Sequence, residues 1–174
     1  MVTLLAVVLA AMTVGLHDAG LLDRGEQPNH IGDDVSSSFG VVAVEFVRSV
    51  DGVTSRALAG ASHGVSGLVD ASHQQIQVAV AVTNRSERPL QHSAQQFTLL
   101  VTQGGTTRAL KPAAGDLPDM RIQPHAGVEG HLDFTLPRQR VHLALQYRDP
   151  GRDQPIVIDL GDYSAPRVRP AHNH

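Results

Sequence analysis

Histidine is the residue type best placed to do chemistry in this chain. There are ten, with no cysteine, and His125 and His131 stand six residues apart in the stretch QPHAGVEGHLDFTLP. Neutral imidazole is a common protein ligand for zinc and copper. A second pair, His172 and His174, flanks Asn173 in a terminal His-Asn-His, a spacing suited to flexible chelation. His172, His174, His125 and His131 are therefore the candidate metal ligands, for copper or zinc. Adjacent His-Asn-His letters do not make an HNH nuclease, whose named residues are dispersed through a ββα unit. Methionine occurs only as Met1, Met12 and Met120, which argues against a methionine-rich copper carrier.

Spacing weakens the metal reading. A strand advances about 3.3 Å per residue, and only residues an even number apart share a face. If the segments 128–136 and 141–148 formed a simple hairpin pairing Leu136 with Val141, His131 and His142 would share a face about 13 Å apart, too far for one ion held at about 2 Å. In an immunoglobulin-like sandwich the two strands could instead lie in different sheets, which would separate the histidines further. His125 and His131 bracket a turn, and no Asp or Glu completes a fixed chelating pattern with them.

Other chemistry is weaker still. Gly60-Ala61-Ser62-His63-Gly64 matches the letters of a nucleophile elbow, but that motif needs a strand before the serine and a helix after it in a parallel sheet, and neither is legible here. No catalytic residue is assigned, and the chain reads as non-enzymatic, with no cofactor apart from the copper or zinc alternative. Fourteen basic and seventeen acidic residues are scattered without runs, so there is no basic stripe to neutralise phosphates and nucleic acid is not an expected partner. Imidazole titrates near pH 6.5, so surface charge should move from mildly negative to positive in mild acid. Asn84-Arg85-Ser86 is a formal glycosylation sequon, but it sits where a strand ends in NRSERPL, a turn composition.

The elements that would position these residues follow a period of two. In QQIQVAVAVTN, Ile76, Val78, Val80 and Val82 alternate with polar or small residues, the cleanest strand of the chain. In FGVVAVEFVRSV, Val42, Val44, Phe46 and Val50 share a face. Phe97, Leu99 and Val101 precede Gly104-Gly105, which offers the positive backbone dihedrals of a tight hairpin before TTRAL. Val128, Leu132, Phe134 and Leu136, then Val141, Leu143, Leu145 and Tyr147, then Ile156, Ile158 and Leu160 repeat the pattern. About seven short strands without sustained helical period predict an all-β, immunoglobulin-like antiparallel β-sandwich over residues 39–161. All four phenylalanines, Phe39, Phe46, Phe97 and Phe134, are expected in its core. KPAAGDLPDM reads as a loop with room for one helical turn.

Outside the domain, residues 1–16, MVTLLAVVLAAMTVGL, carry no charge and read as an apolar helix serving as a signal peptide or membrane anchor. No Lys or Arg precedes the run and no small-x-small site follows it, so the true start is expected upstream of Met1. Residues 17–38 read as a flexible linker and residues 162–174 as a disordered, histidine-containing tail. Without cysteine there is neither disulfide nor lipid-modified thiol, and stability must come from packing.

Three phrases carry a resemblance: VAVAVTNRSERPL, a strand running into an Asn-containing turn; QQFTLLVTQGGTTRAL, a strand and hairpin; and QPHAGVEGHLDFTLP, with Gly127, Gly130, Phe134 and Pro137 in place but His125-Ala126 interrupting the usual Pro-Gly. Over residues 39–161 the chain resembles secreted bacterial immunoglobulin-like (telokin-like) domains of unknown function. The shared residues belong to turns and core, so the resemblance implies a fold and an address rather than an activity. It implies an extracytoplasmic module, secreted or anchored by its N-terminus, that binds an unknown protein partner at the cell envelope or supports the envelope.

Overall fold

The alternation of apolar and polar residues sorts the chain into two sheets packed face to face. The computed structural model describes residues 28–50 and 72–164. Its strands are β1 (Asn29–His30), β2 (Val35–Ser36), β3 (Gly40–Ser49), β4 (His73–Asn84), β5 (Leu90–His92), β6 (Phe97–Gln103), β7 (Thr106–Leu110), β8 (Ala114–Gly115), β9 (Met120–Ile122), β10 (Gly127–Pro137), β11 (Val141–Tyr147) and β12 (Ile156–Tyr163). One sheet has the order β2-β3-β4-β10-β8 and the other β1-β12-β11-β6-β7, while β5 and β9 form a small ribbon. Pairing is antiparallel except between β1 and β12. The architecture is the expected all-β antiparallel sandwich. The apolar segment 1–16 and its helix lie outside the described residues.

The predicted inward faces form the core. Ile76, Val78, Val80 and Val82 of β4 interleave with Leu132, Phe134 and Leu136 of β10 and, from the opposite sheet, Phe97, Leu99, Leu143, Leu145, Tyr147 and Ile158, all fully buried. Phe97 and Tyr147 meet at 4.8 Å between ring centroids, a favourable tilted pair at the centre. Gly104 and Gly105 take φ of 54° and 82°, the two positive dihedrals that a two-residue hairpin demands.

Phe46 departs from the expected face. A bulge between Val44 and Phe46 adds a residue opposite β4, so Val42 and Val44 face inward, Val47 packs on the core after the bulge, and Phe46 turns outward at 37% exposure. A one-residue slip reverses every later side chain. Segments 128–136 and 141–148 do not make a hairpin: β10 and β11 belong to opposite sheets. The stretch Lys111–Met120 contains the two-residue β8 and no helical turn; the one short 3-10 turn among the described residues is Ala94–Gln96, closed by a reciprocal Ser93–Gln96 capping box. Part of the expected linker is ordered as well, since β1 joins β12, β2 joins β3, and Val35 is buried. Likewise β12 runs through Tyr163, into the expected tail.

Gly130 shows why the QPHAGVEGHLDFTLP stretch carries a glycine in mid-strand. A Cβ there would lie 2.6 Å from the Leu117 Cα, so the 116–117 backbone crosses β10 where only hydrogen fits. Gly130→Ala is expected to destabilise by about 1–3 kcal/mol, seen as a lower urea midpoint with an unchanged slope.

Candidate functional site

The structure gives His125 and His131 separate carboxylates. His125 occupies the turn before β10 at φ 60°, with its Nε2 3.3 Å from Glu87. His131 lies on the outward face of β10, where its backbone N–H donates to Asp116 at 2.5 Å and its Nδ1 sits 3.1 Å from the same oxygen. The backbone hydrogen bond from His131 is the chief reason the Asp116 carboxyl lies below its ordinary value, with burial opposing it and the His131 side chain adding to it. Both Phe46 and His131 register opposite Ala79, and this small residue lets the two rings approach to 5.9 Å. Among the described residues, no group of three or more His, Asp or Glu side chains converges to hold a metal ion. His172, His174 and Ser62 lie outside the described residues.

Two further histidines, His30 of β1 and His142 of β11, meet the carboxylates of β12 that lies between them. His142 reaches Asp159 through Nε2 at 3.1 Å and Asp162 through Nδ1 at 3.2 Å, and His30 stands 3.9 Å from Asp159. Arg140 also pairs with Asp162 at 2.7 Å. The hydrogen bond from Arg140, followed by that from His142, holds Asp162 below the usual carboxylate range. These groups are exposed and screened, so they contribute little to stability.

Sequence reasoning missed the buried polar groups, which have no local signature. Asn84 and Asp149 brace turns. His92 differs from both: it is 0% exposed, packs edge-on to Phe97 at 6.0 Å, and has no hydrogen-bond partner for either ring nitrogen among the described residues. Burial pushes its pKa down, with only partial opposition from the Asp119 charge. An unfolded histidine binds its proton near pH 6.5, and folded His92 binds it less readily. Folding stability from this group is thus complete above that pH and is lost as pH falls from there towards the folded value. His92→Leu is expected to hold or raise stability at pH 7.5 and to lessen the loss of stability as pH falls below about 6.5, measured by urea unfolding from pH 7.5 to 5.5. Parallel pH dependences for the two proteins would contradict this assignment.

The most open chemistry is backbone chemistry at β7. This strand ends its sheet, pairs only with β6, and exposes Thr106, Thr107, Arg108 and Ala109. Because Gln103 and Thr106 flank a two-residue turn, they form a hydrogen-bonded pair, and pairs then alternate along the ladder. Arg108 bonds back to β6, whereas the N–H and C=O of Thr107 and Ala109 point away from the sheet. Beside the strand runs a groove of roughly 330 Å³, with Thr106, Arg108 and Leu110 on one wall and His73, Thr135 and Pro137 on the other. Its lining holds an arginine and a histidine and no carboxylate. Arg108 has no hydrogen-bond or ion-pair partner for its side chain among the described residues.

No protein-family model matches the chain, and no curated relative matches it. Among solved structures it is similar to a Bacillus subtilis chain described as a "putative lipoprotein", with 21% identity over 80% of this chain and a TM-score of 0.49. It is also similar to an uncharacterised β-sandwich protein of Clostridium difficile 630, with 12% identity over 78% of this chain and 97% of that one and a TM-score of 0.47. The chain spans only 39% of the length of the Bacillus protein. Neither likeness assigns a role to any residue here.

Proposed function

We propose that this chain is an exported, non-enzymatic immunoglobulin-like module that binds another protein at the cell envelope, secreted or held at the membrane through residues 1–16. The strand order supports the fold half of that reading. With β3, β4, β6, β7, β8, β10, β11 and β12 taken as A, B, C, C′, D, E, F and G, the sheets become A-B-E-D and G-F-C-C′, the arrangement of an immunoglobulin domain. The uncharged apolar run at 1–16 supports the address.

The observation that carries the interaction half is the open edge of β7. At the other sheet ends stand the two-residue strands β1, β2 and β8, each paired to two residues of β12, β3 and β10 respectively. β7 is a five-residue edge with outward backbone groups and no proline along it. Unprotected edges of this kind pair readily with another chain, and soluble proteins usually blunt them. A photo-crosslinking residue at Thr107 of the full chain, in its native cells, is expected to give light-dependent adducts with an envelope protein. The same residue at Glu129, on the outer face of the other sheet, is expected to give none. Equal labelling from both positions would remove the β7 edge as the site of interaction.

A further inference from the structure

We infer that the β7 edge takes up an extended segment of a partner protein as an added antiparallel strand, and that the segment carries a carboxylate where it passes Arg108. This inference rests on the interaction-module reading above and names the chemistry of the partner. Two independent features of the edge converge on it.

The first is backbone valence. Thr107 and Ala109 each present one donor and one acceptor away from the sheet, so an incoming strand gains up to four main-chain hydrogen bonds without displacing any existing pair. The second is what its side chains would meet. Alternate residues of an added strand point to the two sides of the sheet, and on the inner side they would enter the groove that Thr106, Arg108 and Leu110 share with His73, Thr135 and Pro137. There the middle residue meets a guanidinium that lacks a partner among the described residues, and the next one towards Leu110 meets apolar surface at Leu110 and Pro137. A carboxylate with an aliphatic residue two positions away on the Leu110 side matches this sequence of surfaces, since guanidinium binds carboxylate in a fork of two hydrogen bonds.

A second copy of this chain fits less well. The register that overlaps the whole of β7 with itself sets the two Arg108 side chains directly opposite each other, and like charges so placed repel. The occupant is therefore a different, acidic segment.

The test uses the full chain and a short blocked peptide with valine, glutamate and valine at alternate positions and threonine between them, alongside its lysine counterpart. The glutamate peptide is expected to shift the amide resonances of Thr107 and Ala109 and to bind about tenfold or more tightly than the lysine peptide. Arg108→Glu is expected to invert that preference. Ala109→Pro, which removes an outward N–H and leaves the β6 pairing intact, is expected to abolish binding of both peptides without lowering the melting temperature.

Binding of neither peptide would overturn the inference, and so would binding that survives Ala109→Pro. Self-association that Ala109→Pro abolishes, without competition from either peptide, would identify a second copy as the occupant and overturn it too. Adducts from position 107 with a partner, but no preference for glutamate over lysine, would remove the acidic segment and leave the interaction module standing.

Discussion

Asn84→Ala is expected to lower the unfolding free energy by about 3 kcal/mol, because one buried amide satisfies groups from two separate parts of the chain. Asn84 ends β4 with 0% exposure. Its Nδ2 lies 2.8 Å from the Arg88 carbonyl, 3.2 Å from that of Gln123 and 3.3 Å from that of Ile122, so two hydrogens serve three acceptors. Its Oδ1 accepts from the Ser86 backbone N–H at 3.1 Å and from the Ser86 hydroxyl at 2.8 Å. The side chain thus closes the turn after β4 and pins it to the end of β9. Alanine leaves the buried Ile122 carbonyl without its donor, at about 1–3 kcal/mol, and removes the part-buried bonds to Gln123, Arg88 and Ser86 as well. Aspartate should be worse than alanine, since it sets a carboxylate against three carbonyl oxygens. Urea unfolding at pH 7 checks both, with the midpoint falling in the order wild type, Asn84→Ala, Asn84→Asp. The same geometry answers the sequon: with Nδ2 committed to three carbonyls in the interior, the folded chain is not expected to accept a glycan at Asn84.

Alternation made the core faces of β4, β6, β10, β11 and β12 legible, because one buried face imposes a period of two wherever a strand runs unbroken. It failed at Phe46, where a bulge reverses the inward face; the apolar character of both faces of FGVVAVEFVRSV left the sequence without a marker for the slip. Strands β1 and β2 were invisible because two residues have no period and gain their structure from the neighbour they join. The site was less legible than the fold. TTRAL was readable as the second arm of a hairpin, but its free side is a property of sheet order, which puts β7 last. Of the histidines singled out by counting, His125 and His131 engage their own carboxylates, whereas the histidine with the most distinctive surroundings, His92, sits in a three-residue strand. Bracing side chains escape sequence reading because they act over long separations; Ser38 and Asp149 are 111 residues apart.

That pair carries the second large effect. Asp149 is 1% exposed and accepts the Ser38 N–H at 2.6 Å, the Ser38 hydroxyl and the Gly151 N–H at 2.9 Å, with Arg152 Nε 3.5 Å away. It thereby fixes the entry to β3 against the β11–β12 turn, where Phe39 meets Tyr147 edge-on at 6.2 Å. Asp149→Ala removes the buried, charged acceptor that the Ser38 and Gly151 donors share and is expected to cost about 3 kcal/mol at pH 7. Arg152→Ala, which removes a half-exposed partner, should cost no more than about 1 kcal/mol. The sign with pH separates a charged brace from simple packing. Burial alone would raise the Asp149 pKa, but the hydrogen bonds from the Ser38 hydroxyl and N–H and from Gly151, with the Arg152 charge, together hold it below its ordinary value. A carboxylate lowered in this way contributes its stability above the unfolded pKa, near 3.9, and loses it as pH falls from there through the folded value. The gap between wild type and Asp149→Ala in urea unfolding should therefore be constant from pH 7 to about pH 5 and narrow below about pH 4. A gap that stays constant to pH 3 would assign the loss to the cavity left behind rather than to the ionised brace.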